Sequence, residues 1–113
     1  MSQKKKAIRQ AFRDACFQRD GYRCVTCGFQ STKERAEDEL DAHHITNRNE
    51  MPHGGYVAEN GISLCKRVGG GHEEAEACLQ GELQDERFTS SALYALIGSS
   101  PEQAVDASRR LVD

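Results

Sequence analysis

The residues of this chain best suited to chemistry are its five cysteines and four histidines, which fall in an order that suits metal binding. Cys24-x-x-Cys27 can offer two thiolates to one tetrahedral ion from a single tight turn. Gly28, directly after the second thiol, suits such a turn. A redox pair uses the same spacing, but it belongs at the end of a strand in a βαβ unit, and the sequence has no such pattern. Cys65 is available as a third ligand. A closed zinc site wants four, and Val68, not a cysteine, stands two residues beyond Cys65 plus one. Cys78, Cys16, His53 and His72 are the remaining candidates, with Cys16 and Cys78 also reading as small core residues. The other cluster is Asp41-Ala42-His43-His44-Ile45. Adjacent histidines on a strand point to opposite faces. One can therefore hold a metal while its neighbour takes a different role, provided a twist or bulge brings both near one substrate.

The elements that must position these groups can be read from periodicity. Residues 4–18 form an amphipathic helix, with Ile8, Ala11, Phe12, Ala15 and Cys16 recurring at spacings of three and four. Asp20-Gly21 ends it as a turn. Residues 22–29 form a short hairpin around the cysteine pair. Residues 31–41 are charged and read as a helical turn or a loop. Leu40 to Thr46 is a strand, residues 47–59 a loop, and Ile62 to Leu64 a second strand. Lys66 to Gly71 is a glycine-rich loop, and a helix follows from His72 to Leu79. Two tail helices come last. One covers residues 90–97 and stops at Gly98. The other covers 101–112, where Ser100, Pro101 and Gln103 make a capping-box start. Leu93, Leu96 and Ile97 in the first, and Ala104, Val105 and Leu111 in the second, give apolar faces that can dock on the rest of the domain or on a second chain.

A chain of 113 residues fits one domain. With 37% hydrophobic residues, 6% aromatics and no Trp, the core is thin, so a metal staple would help it fold. No stretch approaches the roughly 18 apolar residues of a membrane helix. The N-terminal Lys4-Lys5-Lys6 run is not followed by an apolar segment, so a signal peptide is not expected and the cysteines are expected to be reduced in a cytoplasm. The net charge of −3 is not that of a DNA-coating protein. Charge is nevertheless segregated. Residues 1–24 hold seven Lys or Arg against Asp14 and Asp20, while residues 73–86 hold six acids and no base. A basic N-terminal arm can meet phosphate, although solvated helix surface explains the same pattern equally well.

Taken in order, Arg19-Asp20-Gly21-Tyr22-Arg23-Cys24-x-x-Cys27, Asp41-Ala42-His43-His44-Ile45, Asn60-Gly61-Ile62-Ser63-Leu64-Cys65 and His72 resemble the HNH endonuclease family. The resemblance covers about residues 12–80, and the tail from about 82, with its helical part at about 88–113, lies outside it. It implies an α+β fold: a small ββα-metal finger of two antiparallel strands and a helix around one catalytic metal, with a zinc knuckle and flanking N- and C-terminal helices, all within a single domain, 1–113. His43 and His72 would be ligands of the catalytic metal. His44 would be the general base that activates water. Asn60 would orient the loop or the base by hydrogen bonding. Cys24, Cys27 and Cys65 would hold a structural zinc. The departure from the family pattern is the second cysteine pair, since a six-residue loop separates Cys65 from His72.

What the resemblance implies chemically is hydrolysis of DNA phosphodiester bonds, by nicking or cutting, with little sequence preference. Neutral imidazole suits the base, because its pKa of about 6.5 lets it take a proton near neutrality. Two imidazole ligands favour manganese, nickel or cobalt, and magnesium can bind through water and phosphate. Arg48 and Arg67, in the loops flanking the histidines, are the expected phosphate clamps, with exposed surface arginines as the plainer reading. Each finger offers one metal and one strand cut, so a homodimer or a larger DNA-processing complex, such as a phage packaging assembly in the host cytoplasm, fits a double-strand break. The competing reading is a zinc module that binds nucleic acid or a protein without catalysis. It needs the cysteines but has no use for His44.

Overall fold

The computed structural model describes residues 3–67 and 71–111. Its centre is a two-stranded antiparallel sheet, β1 (Leu40–His44) and β2 (Gly61–Cys65), paired from Leu40↔Cys65 to His44↔Gly61 without a break. The remaining elements are helices: α1 (Gln3–Arg19), a single turn α2 (Ala36–Glu39), α3 (His72–Leu79), α4 (Ser90–Ile97) and α5 (Pro101–Arg109). This is a small α+β domain. Among the described residues, no helix is long and apolar enough to cross a membrane.

α1 lies across the sheet because its apolar stripe buries Phe12, Cys16 and Phe17. It approaches closely at Gly61, where a Cβ would collide with Cys16 Sγ and the Phe12 ring. The helix ends through left-handed Gly21 (φ 68°), with the Tyr22 N–H donating to Phe17 O at 2.8 Å. Arg19 and Asp20 then bracket the helix end to the hairpin. The Arg19 guanidinium donates to the Ala58 carbonyl at 2.6 Å and the Gly61 carbonyl at 2.7 Å, and pairs with Asp20 at 2.8 Å. Asp20 in turn accepts the Ser63 N–H at 2.9 Å. Residues 22–31 fold back on themselves, with one bridge between Arg23 and Gln30 and the Cys24 N–H on Phe29 O. This is the short hairpin expected around the cysteines.

The connection between the strands is a run of three short 3₁₀ turns, Arg48–Glu50, Pro52–Gly55 and Ala58–Asn60. The first strand stops at His44, short of the expected Thr46, because Ile45 and Thr46 bond instead to Asn60: the Ile45 N–H meets Asn60 O at 2.9 Å and the Thr46 N–H meets Asn60 Oδ1 at 2.9 Å. α3 and α4 have the expected bounds, and α5 begins at the expected capped Pro101, where Ser100 accepts the Gln103 N–H. α5 ends at Arg109 rather than at 112. The tail helices dock on the loop between the strands: α5 packs on the Pro52–Gly55 and Ala58–Asn60 turns, and α4 on the latter. Leu93 and Ala104 are buried there, but Leu96 points outward with 52% of its surface exposed. Leu40, Ile45, Ile62, Leu64 and Leu93 form the centre of the core. Of the expected glycine-rich loop from Lys66 to Gly71, residues 68–70, Val68 included, lie outside the described residues.

Candidate functional site

The cysteine cluster is assembled by two segments. Cys24 and Cys27 come from the turn after α1, which closes with Gly28 N–H on Cys24 O and left-handed Gly28 (φ 81°). Cys65 comes from the end of β2. The three sulfurs lie within 4.8 Å of one another, with Cys27 Sγ and Cys65 Sγ at 3.5 Å. Thiolates around a tetrahedral zinc stand about 3.8 Å apart given the usual bond length of about 2.3 Å, so the spacing fits that ion. Burial alone would push the Cys24 thiol up. The Thr26 hydroxyl, the backbone amides of Cys27 and Cys65 and the Cys27 side chain outweigh it and bring it down to about 7. Burial pushes Cys65 up to about 12. One thiol is thus poised to ionise, and a bound cation would displace the proton of Cys65 to solvent. Neither Cys16 nor Cys78, nor either histidine candidate, joins this cluster among the described residues. Cys16 is buried between α1 and Gly61, and the Cys78 thiol donates to the Asp85 carbonyl at 3.7 Å.

The second cluster crosses from β1 to α3. His43 projects from β1 toward the helix, and His72 opens that helix. Glu76, one turn further on, faces both. His43 Nδ1 lies 3.1 Å from Glu76 Oε1, and His72 Nε2 lies 3.5 Å from the same oxygen. The potential ligand atoms of all three are within 4.8 Å of one another. His43 is 2% exposed, yet its Nδ1 makes no hydrogen bond. A buried imidazole nitrogen 3.1 Å from a carboxylate oxygen is placed where one cation could bind both. Asp41, two residues before His43 and on the same strand, accepts from His72 Nδ1 at 2.9 Å and so leaves Nε2 turned to Glu76. The Asp41 carboxylate raises His72 above its ordinary pKa, while burial lowers His43 to about 4. Two imidazoles and a carboxylate leave further coordination positions open, as a catalytic rather than a structural site does.

His44 does not join that cluster. The pairing of β1 is regular through His44, with no bulge to turn it. The ring leaves the opposite face, stacked on Phe12 at 4.6 Å and edge-on to Tyr56 at 4.6 Å. Its Nε2 is buried without a hydrogen-bond partner. Burial, helped by Arg48, His43 and Arg9, lowers it to about 4, so it is neutral at pH 7. The histidine pair therefore divides as strand alternation requires, and no bulge among the paired residues brings both rings to one point.

Asn60 is fully buried and organises the loop rather than touching His44. Its Oδ1 accepts from the Thr46 N–H and from the Tyr94 hydroxyl at 2.7 Å, and its Nδ2 donates to the carbonyls of Thr46 and Gly55. Arg48 donates to the Tyr56 hydroxyl at 3.0 Å. That bond raises its pKa, and Glu76 adds a smaller pull, so Arg48 lies within electrostatic reach of both clusters that flank β1. Arg67 is elsewhere, its guanidinium 5.0 Å from the Phe29 ring on the cysteine knuckle.

Sequence reasoning missed Glu76, Asp41 as the partner of His72, and Tyr94. The signal for Glu76 was its spacing: His72 and Glu76 are four apart on a helix and share a face. Comparison of the chain with protein-family models, with curated proteins and with solved structures finds no match in any of the three.

Proposed function

We propose that this protein is a metal-dependent endonuclease of the HNH kind, hydrolysing DNA phosphodiester bonds, and that the β1–β2 hairpin with α3 is its ββα-metal finger. The observation that carries this reading is the meeting of His43, His72 and Glu76 across β1 and α3, with an unbonded buried nitrogen on His43 and with Asp41 fixing the tautomer of His72. A divalent ion held by these three residues would act as a Lewis acid on the phosphate and its departing oxygen. The chain's own groups do the rest. His44, neutral but on the face of β1 opposite these ligands and with its Nε2 buried, would accept the proton of the attacking water once DNA binding opens that face. The hydroxide oxygen bonds to phosphorus, the bond to the 3′ oxygen breaks, and that oxygen takes a proton from solvent. Arg48, bonded to the Tyr56 hydroxyl beside His44, would neutralise phosphate charge. Asn60 holds the loop that carries Arg48. Cys24, Cys27 and Cys65 would hold a structural zinc that braces the finger.

The test is cleavage of supercoiled plasmid with added manganese or magnesium. The wild-type chain is expected to nick it, with chelation abolishing the activity. His44→Ala should lose at least about 100-fold in rate, the usual worth of a general base. Glu76→Gln should raise the manganese concentration required by about tenfold or more. A folded, zinc-loaded chain that is inert with every divalent ion sinks the reading and leaves a non-catalytic zinc-binding module, for which the cysteine cluster alone suffices.

A further inference from the structure

We propose that the cleft between α1 and the loop after β1, lined by Lys5, Arg9, Arg48, Asn49, His53 and Tyr56, is a second phosphate site that seats the nucleic-acid backbone beside the bond to be cut. The inference rests on the nuclease reading of the adjoining centre, and it adds to it a role for the N-terminal helix.

The cleft encloses about 320 Å³. The chain as a whole carries more acids than bases, 18 against 15, yet this cleft is lined by three bases and no acid. Such segregation against the net charge is what concentrates an anion at one place on a protein surface. Tyr56 makes the cleft continuous with His44. The Arg9 guanidinium carbon lies 5.2 Å from the centre of the Tyr56 ring, Arg48 donates to the Tyr56 hydroxyl, and the His44 ring meets the same tyrosine at 4.6 Å. A phosphate bridging Arg9 and Arg48 would therefore lie one side chain away from the unpaired nitrogen of His44. The wall is also built to keep this shape. Gly54, left-handed at φ 83°, leaves no room for a side chain, because a Cβ would stand 2.8 Å from the Tyr56 ring. Asn49 adds an amide able to reach phosphate or sugar oxygens. No group in the lining distinguishes one base from another by a buried, paired contact, so the site positions a strand without reading it.

The test measures binding of a fluorescein-labelled DNA duplex by anisotropy across a salt series, with no divalent ion added. The double variant Lys5→Gln/Arg9→Gln is compared with Lys33→Gln/Arg109→Gln, which removes the same charge away from the cleft. The cleft variant is expected to lower the slope of log affinity against log salt by about two, one for each lost phosphate contact, and to weaken low-salt binding at least tenfold. Arg9→Lys alone, which keeps the charge, should retain the wild-type slope. The control double variant should leave the slope unchanged. Equal behaviour of the two double variants, or wild-type binding without salt dependence, overturns the proposal. In plasmid cleavage, the cleft variant should raise KM for DNA with kcat within about twofold of wild type. The two readings fail separately. A chain that cuts DNA with its salt slope unmoved by Lys5→Gln/Arg9→Gln loses the cleft and keeps the nuclease. A chain that shows the slope change but cuts nothing keeps the cleft and loses the nuclease.

Discussion

Glu76 and His72 share one face of α3, and His43 reaches that face from β1, so three ligand atoms converge although one of them is 29 positions away in sequence from the nearest of the others. His44, next in the chain to His43, faces the other way and is packed between Phe12 and Tyr56. That packing has a pH signature. The folded pKa is about 4, below the unfolded value of about 6.5, so the unfolded chain binds the proton first as pH falls. The stability contributed is whole above pH 6.5 and is lost progressively down to pH 4, on the order of 2–3 kcal/mol over that window. His43, lowered to about 4 by the same cause, adds a loss of similar size, so urea titrations between pH 7 and pH 4 are expected to show both, and His44→Phe, which keeps the stacking, should remove about half of the slope. An unchanged slope in that variant would assign the acid sensitivity to other groups. At this scale the sequence told much. His43, His44, His72 and the three cysteines are the residues that cluster or stand buried at the sites. Glu76 was hidden among the other acids of residues 73–86, where a ligand and a solvated carboxylate look alike until a histidine is seen opposite. Asn60 was visible as a residue, but its partners lie in a loop and a tail helix that no local pattern links to it.

The helices and strands are where periodicity served best. α3 and α4 have the bounds that their patterns predict, because each starts and stops on a local signal: Thr89 caps α4, and Gly98 ends it in the left-handed region. β1 is shorter than its hydrophobic pattern, since Asn60 competes for the backbone of Ile45 and Thr46. The largest surprise is the tail. It lies outside the stretch with family resemblance, and yet α4 sends Tyr94 into the centre of the loop after β1. The Tyr94 hydroxyl lies 2.7 Å from both Asn60 Oδ1 and Thr46 Oγ1. Tyr94→Phe removes one buried donor while Asn60 Oδ1 keeps the Thr46 N–H, so a cost of roughly 1 kcal/mol is expected in urea unfolding. Asn60→Ala strips all four bonds and should cost at least twice as much. Equal stability of Tyr94→Phe and wild type would mean that α4 merely covers the loop.

Across the whole molecule, the two ligand clusters are joined by a single residue. Gly71 lies against the knuckle, where a Cβ would come within 3.2 Å of Cys24 Sγ, and the next residue is His72. The Gly71 N–H also donates to Glu74, which fixes the first turn of α3. The knuckle therefore sets where α3 begins, and with it the place of His72 and Glu76. The protein has a radius of gyration of 13.2 Å, close to the roughly 13 Å of a fully compact domain of this length. For a domain of this size, a metal held by the cysteine cluster would supply a large share of the net stability. Removing zinc with a strong chelator, or substituting Cys27→Ser, is expected to lower the melting temperature by on the order of 10 °C, with metal analysis finding about one zinc per chain before chelation. A chain with no zinc and an unmoved melting temperature would make the cysteines plain core thiols.

The Arg19–Asp20 bracket has a bearing on how the fold is reached. Its three bonds to the hairpin join residues 39, 42 and 43 positions apart, and their acceptors and donor come into line only when β2 has paired with β1. α1 can form its turns early from local contacts, but it has nothing to lock onto until the hairpin closes, and closing that long loop is the slow, entropically costly event. The helix carrying Lys5 and Arg9 and the strand carrying His44 are thus expected to arrive together in one cooperative step. A partly folded chain would hold neither its basic cleft nor its buried histidine in place.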